Sequence, residues 1–362
     1  MSELDAQIAR ALSGENFALY GAGQLGRMTL DMWPQNRMKP LFFIDAVKTG
    51  DYCGLPVHPL DGPRPENVTY LLSAFKIPAV TAKEIFHQLG QPLMLTAYDF
   101  FDHVMPEEFG NGWRNLAPGA EVLTRASLAR AVYADDLSRL AHDSACAWRY
   151  RREMPDNYPV APEEDKYNLA FLGRQATHYD LVIDAGSYDL HTLDMLHAGG
   201  VSWDSVAAFE ADPARADICR SRAGEGGYVH EIAVADFDGE ADFLATGLLS
   251  ARLAGPGVKG DPRLKTVPVA RLDSFSRQFG PLAGKRILLK LHIEGAELPA
   301  LKGAEELLRT AHCDVLLNLS HDEQSLLDLP VYLRNLGRFD IFLRSHSLFG
   351  EGLTLFARCR DF

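Results

Sequence analysis

The sequence predicts an α/β protein of two domains, each built on a mostly parallel sheet, with an antiparallel hairpin at the edge of the second. Three observations carry this prediction. Short apolar strands alternate with helical patterns at both ends of the chain, which is the sequence form of βαβ units. A glycine-containing turn follows the first strand at each end. At 362 residues the chain is also too long for one ordinary core.

The first domain is placed at residues 1–105. Phe17–Tyr20 is a strand, Gly21-Ala22-Gly23-Gln24-Leu25-Gly26 a glycine turn, and Arg27–Trp33 the start of a helix. Leu41–Ile44 is a second strand closed by Asp45, and "VTYLLS" (68–73) and "PLMLT" (92–96) are further strands around a helix at 81–90. Residues 106–170 read as a helical connector, because 124–153 carries Leu128, Ala131, Val132 and Leu140 at helical spacing among charged residues. "MPDNYPVAPEED" (154–165) is a loop, made so by its prolines and acidic residues. The second domain is placed at 171–362. Its strands are expected at 181–184, 206–210, 229–234, 241–245, 287–292, 314–319, 339–344 and 353–358. Its helices are expected near 191–198, 213–222, 297–310 and 323–335, and "SHSLFGEG" joins the last two strands as a hairpin.

Composition narrows the function. With 47% hydrophobic and 23% charged residues the chain has a soluble, globular character. A net charge of −13 argues against unaided binding to nucleic acid or anionic membrane, which needs clustered Lys and Arg. The five cysteines (Cys53, Cys146, Cys219, Cys313, Cys359) are scattered and form no CxxC pair, so neither a disulfide framework nor a zinc cluster is expected. The N-terminus is polar and no apolar run reaches membrane-spanning length. A cytoplasmic protein is expected; a homo-oligomer is left open.

The chemistry concentrates at strand ends. "DLVIDAGSYDLHT" (180–192) runs from a buried strand into Asp184-Ala185-Gly186, a turn that lets a ligand lie against bare backbone. The second strand closes with Glu210, where a carboxylate can accept hydrogen bonds from both ribose hydroxyls of a nucleoside. Asp212-Pro213 fixes the turn into the next helix, and Ala233 and Val234 fall at the sheet's carboxyl edge beside an adenine. S-adenosylmethionine carries a sulfonium and no phosphate, so its loop needs a carboxylate and close backbone approach rather than a helix N-terminus aimed at pyrophosphate. Against this stands the plainer reading, with Asp184 a helix cap and Glu210 a solvated strand end. In "LLKLHIEGAELPALKGAEELL" (288–308), alternation turns Lys290, His292 and Glu294 to one face of a buried strand. Ionisable groups there are costly unless solvated, paired or used, so the alternatives are a salt-bridge network and a site. His321, Asp322 and Glu323 follow the next strand.

These segments resemble the FkbM family of S-adenosylmethionine-dependent methyltransferases over residues 178–358. The family carries an Asp-x-Gly loop, a strand ending Phe-Glu-x-x-Pro, a Glu-Gly-Ala-Glu…Leu-Lys-Gly-Ala segment, a later strand ending in His, and a terminal Arg-His. This chain shows "DAGSY", "FEADP" (209–213), "KLHIEGAELPALKGA" (290–304), "LSHDE" (319–323) and "LRSH" (343–346). It departs from the pattern twice: the loop's second glycine is replaced within Tyr188-Asp189-Leu190, and His292 stands where the family has aspartate.

The resemblance implies a class I methyltransferase sheet with S-adenosyl-L-methionine as cofactor, held by Asp184, Gly186, Ser187, Tyr188, Glu210, Ala211, Asp212, Ala233 and Val234. It further implies O-methylation of a sugar, glycan or related small-molecule acceptor, with His321, His292, Glu294, Glu297 and Lys290 as the catalytic set. His321 is preferred as base because the family has histidine there; its removal should abolish turnover and spare donor affinity. No metal is expected, although His292, Glu294, His321 and Asp322 are acceptable ligand types. Residues 17–60 resemble the small Rossmann-like domain that precedes some bacterial sugar-nucleotide-modifying enzymes, which makes Gly21, Gly23, Gly26 and Asp45 a second, nucleotide-type candidate site. The competing expectations are a catalytically silent relative that binds a sugar nucleotide, and an NAD-dependent oxidoreductase.

Overall fold

The computed structural model describes residues 3–63, 65–104, 112–174, 177–223, 227–245, 252–254, 261–276 and 280–361. The chain divides into two compact units. One comprises Met1–Ala117, Ser144–Val160 and Ser347–Glu351; the other comprises Pro118–Asp143, Ala161–His346 and Gly352–Phe362. The boundary between residues 105 and 106 drawn from the sequence lies outside the described residues.

The first unit contains α1 (Glu3–Leu12), β1 (Phe17–Tyr20), α2 (Gln24–Asp31), β2 (Phe43–Ile44), β3 (Gly50–Tyr52), β4 (Leu55–His58), β5 (Thr69–Leu72), α3 (Ala79–Gln88), β6 (Leu95–Thr96) and α4 (Ala97–Val104). Its six-stranded sheet runs β3-β4-β2-β1-β5-β6, parallel except for the β3–β4 pair. Trp33 stacks on Phe100, with ring centroids 4.1 Å apart. Trp148, Leu348 and Phe349, from later in the chain, complete this apolar core.

Helices α5 (Ala120–Val132) and α6 (Asp136–Arg151) follow. The stretch read as a connector is thus two helices; α5 and the start of α6 count with the second unit, and α6 from Ser144 with the first. In the second unit come β7 (His178–Ala185), α7 (His191–Ala198), β8 (Ser202–Phe209), α8 (Pro213–Arg222), β9 (Gly227–His230), β10 (Ala233–Val234), β11 (Gly239–Leu244), β12 (Arg252–Leu253) and β13 (Leu264–Ala270). After them run α9 (Leu272–Ser276), β14 (Arg286–Leu291), α10 (Glu297–Lys302), α11 (Glu305–Thr310), β15 (His312–Asn318), α12 (Glu323–Asn335), β16 (Phe339–Ser345) and β17 (Leu353–Cys359).

The main sheet is seven-stranded, in the order β16-β17-β15-β14-β7-β8-β9. Its first five strands in sequence are parallel, and β17 runs antiparallel to both β15 and β16, so the predicted edge hairpin is present. Strand order reverses at β7 and β14, and ligands of open α/β sheets sit outside the carboxyl ends at such a point. The strands expected at 229–234 and 241–245 overlap β9, β10 and β11, but β10 and β11 belong with β13 and β12 to a separate four-stranded sheet, β10-β13-β11-β12, so Ala233 and Val234 do not lie in the main sheet. The helix expected over 297–310 is broken at Gly303. A Cβ there would overlap the carbonyl oxygen of Ala235, so only glycine lets the chain pass this close.

Candidate functional site

One cavity of about 920 Å³ lies within the second unit, at the carboxyl ends of β7, β8 and β14. Each wall follows from local structure. The loop after β7 carries three left-handed residues in alternation: Gly186 at φ +72°, Tyr188 at +55° and Leu190 at +64°. Gly186 is obligatory, because a Cβ would run into the carbonyl of His292. Tyr188 and Leu190 adopt without glycine the conformation that the missing glycine would have eased. Such residues cost about 1–3 kcal/mol each and persist where surroundings over-determine them. They do here. The Tyr188 N–H donates to Glu210 Oε2 at 2.8 Å, the Arg215 guanidinium lies 3.9 Å from the Tyr188 ring centroid, and Leu190 is buried in the core.

Glu210, at the end of β8, lines the cavity and is 7% exposed. Its other oxygen accepts the Asp212 N–H at 3.0 Å. Burial raises its carboxyl above the usual range against the pull of these two N–H groups and of Lys290. Each carboxylate oxygen keeps a further lone pair for a ligand hydroxyl. Ser187, Tyr188, Ala211, Ala233 and Val234 also line the cavity.

Asp184 and Asp212 do not. Asp184 is fully buried and pairs with Lys290 Nζ at 2.7 Å, directly across the β7–β14 register. Lys290 also donates to the Gly186 carbonyl at 2.7 Å. Burial opposes the lysine's charge, yet Asp184, Tyr167 and Glu210 hold its pKa above the ordinary lysine value. The pair fixes the loop from below. Asp212 caps α8 through the Ala214 N–H at 3.1 Å, the plainer role weighed above for Asp184.

The expectation that Lys290, His292 and Glu294 share one strand face needs correction. β14 ends at Leu291, and the chain then turns, with Glu294 at φ +56° and Gly295 at +99°. Lys290 is directed to Asp184, whereas His292 and Glu294 meet His321. Glu294 Oε1 is 3.4 Å from His292 Nε2, and its Oε2 is 3.3 Å from His321 Nδ1. His321 Nε2 faces Glu297 Oε1 at 3.5 Å, and Glu297, fully buried, accepts the Ile293 and Gly295 N–H groups at 2.9 and 3.0 Å. Burial pushes the His292 imidazole down to about 4. Burial works against the Glu294 charge, but the flanking imidazoles bring its carboxyl down to about 2. Burial raises Glu297. His292 and Glu294 line the cavity; His321 stands behind them, outside its wall. Asp322 caps α12 through the Ser325 N–H at 2.6 Å.

The segment Glu163–Asn168, which the sequence divides between the loop at 154–165 and the end of the connector, also lines the cavity. No periodic signal in a loop says which surface it will cover.

The matching sequence profile, "Methyltransferase FkbM domain", covers residues 184–339, the stretch that holds every wall just described except Glu163–Asn168. Residues 184–339 thus match the FkbM methyltransferase domain. No curated protein matches the chain. Among solved structures, the fold is similar to that of the methyltransferase FkbM from Methylobacillus flagellatus KT, at 16% identity and a TM-score of 0.66, over 97% of this chain and 93% of that one. The O-methyltransferase from Bacillus cereus, solved in complex with SAH, is 15% identical with a TM-score of 0.35, over 73% of this chain and 96% of that one.

The methyl donor of an FkbM domain is S-adenosyl-L-methionine, and the cavity's chemistry suits it. Phe209, Ala211, Ala233 and Val234 form an apolar wall, Glu210 offers acceptors, and Lys290 is already paired to Asp184 rather than free for a phosphate. In the first unit, by contrast, the fingerprint turn satisfies itself. Asp45 accepts the Ala22 N–H at 2.8 Å and the Val47 and Lys48 N–H groups at 2.9 Å each. Burial opposes its charge, but these three donors hold its carboxyl below the usual range. Gly21 (φ +113°) and Gly26 are needed by the turn itself, since a Cβ on Gly26 would overlap the Gly21 carbonyl. Among the described residues no helix is long and apolar enough to cross a membrane.

Proposed function

We propose that the domain transfers a methyl group from S-adenosylmethionine to a hydroxyl of a sugar, glycan or related small molecule. The observation that carries this reading is that one cavity joins Glu210 to His292 and Glu294. Strand order sets the direction: β8 supplies Glu210 on the nucleoside side, β7 the glycine loop, and β14 the acceptor side. Bound S-adenosylmethionine supplies a methyl group on a sulfonium, already activated for in-line displacement. The chain's own work is positioning and removal of the hydroxyl proton. Glu210 receives the ribose hydroxyls, and Lys290 holds the Gly186 carbonyl so that the loop keeps its shape. His292, neutral and on the cavity wall, is the group placed to accept the proton, with Glu294 beside it; His321 positions Glu294 from behind.

Titration of the protein with S-adenosylhomocysteine, and separately with NADH, tests the donor assignment. Binding of NADH alone would favour the oxidoreductase reading instead. Glu210→Ala should weaken S-adenosylhomocysteine binding by about 1.5–3 kcal/mol, on the order of 10–100-fold, as expected for hydrogen bonds to a charged group. His292→Ala should leave that affinity nearly intact while turnover drops by about 10²–10⁴-fold, the usual worth of a positioned base. The acceptor is sought by mass spectrometry of candidate glycans for the gain of one CH₂. Undiminished turnover in the His292 variant would remove that residue from proton transfer.

A further inference from the structure

We infer that His292, Glu294 and His321 form a binding site for a divalent first-row transition-metal ion at the acceptor end of the cavity. Their ligand atoms all lie within 4.8 Å of one another. The Glu294 oxygens stand 3.4 Å from His292 Nε2 and 3.3 Å from His321 Nδ1. Two ligands held at ~2.1 Å with a tetrahedral angle between them are about 3.4 Å apart.

The hydrogen bonding around the cluster points the same way. The Ser320 N–H donates to Asn318 Oδ1 at 2.7 Å, so the Asn318 atom 3.0 Å from His292 Nε2 is its amide nitrogen, a donor. With that amide donating to it, Nε2 carries a lone pair, and the ring proton is on Nδ1. In that tautomer Nε2 and Glu294 Oε1 face each other as two acceptors, whereas the other tautomer, with Nε2–H donating to Glu294, would set the Asn318 amide against it as a second donor. A cation between Nε2 and Oε1 resolves their contact, at the cost of the Asn318 hydrogen bond. On the other side, His321 Nε2 faces the buried carboxylate of Glu297, itself fixed by two backbone N–H groups. A ligating histidine characteristically donates its second ring N–H to such a carboxylate. Two imidazoles with one carboxylate suit zinc, iron or manganese-type ions, and not magnesium or calcium, which take all-oxygen shells.

Because His292 and Glu294 line the cavity and His321 closes the cluster from behind, the ion's remaining positions open toward the acceptor. In the loaded protein the two histidines would be ligands, so His292 would not take the proton as it does in the ion-free site; the ion's charge would acidify the acceptor hydroxyl, and its proton would pass to solvent water. This role rests on the methyl-transfer reading; the site itself does not.

The test uses tag-free, chelator-treated full-length protein. It is titrated with Co²⁺ under visible absorption and with Zn²⁺ by calorimetry, after S-adenosylhomocysteine binding has been measured on the same sample. The expected result is a single ion per chain, with affinity falling by ~100-fold or more in Glu294→Gln and in His321→Asn, above what outer-shell changes cost. His321→Asn should still bind S-adenosylhomocysteine, which shows that it is folded. No saturable binding by the unaltered protein, or undiminished binding in both variants, would overturn the site. If the ion binds and S-adenosylhomocysteine does not, the methyl-transfer reading falls and the ion site stands; the reverse outcome removes the ion site alone.

Discussion

Replacing Lys290 by methionine should destabilise the protein by about 3–5 kcal/mol, the loss typical when one partner of a buried ion pair is removed. Asp184 is fully buried 2.7 Å from the lysine ammonium, so the variant strands a carboxylate in the sheet interior. Lys290 is 3% exposed, so water cannot take its place cheaply. A second change, Asp184→Asn in the Lys290→Met background, should recover much of the loss, because the stranded charge is then gone. Urea denaturation of the four proteins in this cycle checks the expectation. A single-variant loss under ~1 kcal/mol would mean that the pair contributes no more than a surface ion pair does.

Gly186→Ala should be nearly as damaging, and more selectively so. The substitution combines φ +72° with a collision against the His292 carbonyl, backbone against backbone, which no side-chain rotation relieves. Several kcal/mol are at stake when strain and overpacking coincide, and the loop and the end of β14 must separate. S-adenosylhomocysteine affinity should therefore fall by ~10²-fold or more even where the protein still folds. Gly14→Ala serves as the control. A Cβ there finds its nearest neighbour, the Ala11 carbonyl oxygen, at an ordinary 3.5 Å, and the change should stay within about 0.5 kcal/mol. Calorimetric titration and thermal melts of both variants decide the matter; unchanged donor affinity in Gly186→Ala would show that the loop can shift without consequence.

Much of the scaffold was legible because its boundaries carry chemistry. Helices at 213–222 and 323–335 begin after Asp212 and Asp322, whose side chains cap them, and the structure gives α8 and α12 the same limits. Buried strands such as 287–292 show as apolar runs, here Ile287-Leu288-Leu289 and Leu291 interrupted by Lys290. What stayed hidden depended on neighbours far along the chain. β13, "LKTVPVA", alternates exposed and buried positions and contains Pro268, which reads against a strand. The break at Gly303 exists only because Ala235 passes close by. At the site, residue types pointed to the strand ends, yet which carboxylate faces a ligand was settled by register: Lys290 stands opposite Asp184 and takes it out of the cavity. Likewise His321 ranked first among the bases by motif, and only the fold shows Glu294 standing between it and the cavity.

The braced loop after β7 has a kinetic corollary. Its left-handed residues are held by Glu210, Lys290 and Arg215 through contacts internal to the protein. A nucleoside arriving at such a wall has little main chain left to immobilise, so the entropic penalty of association is small and encounter requires no rearrangement of this segment. On the proposed donor site, release should accordingly be governed by how quickly hydroxyl contacts to Glu210 break.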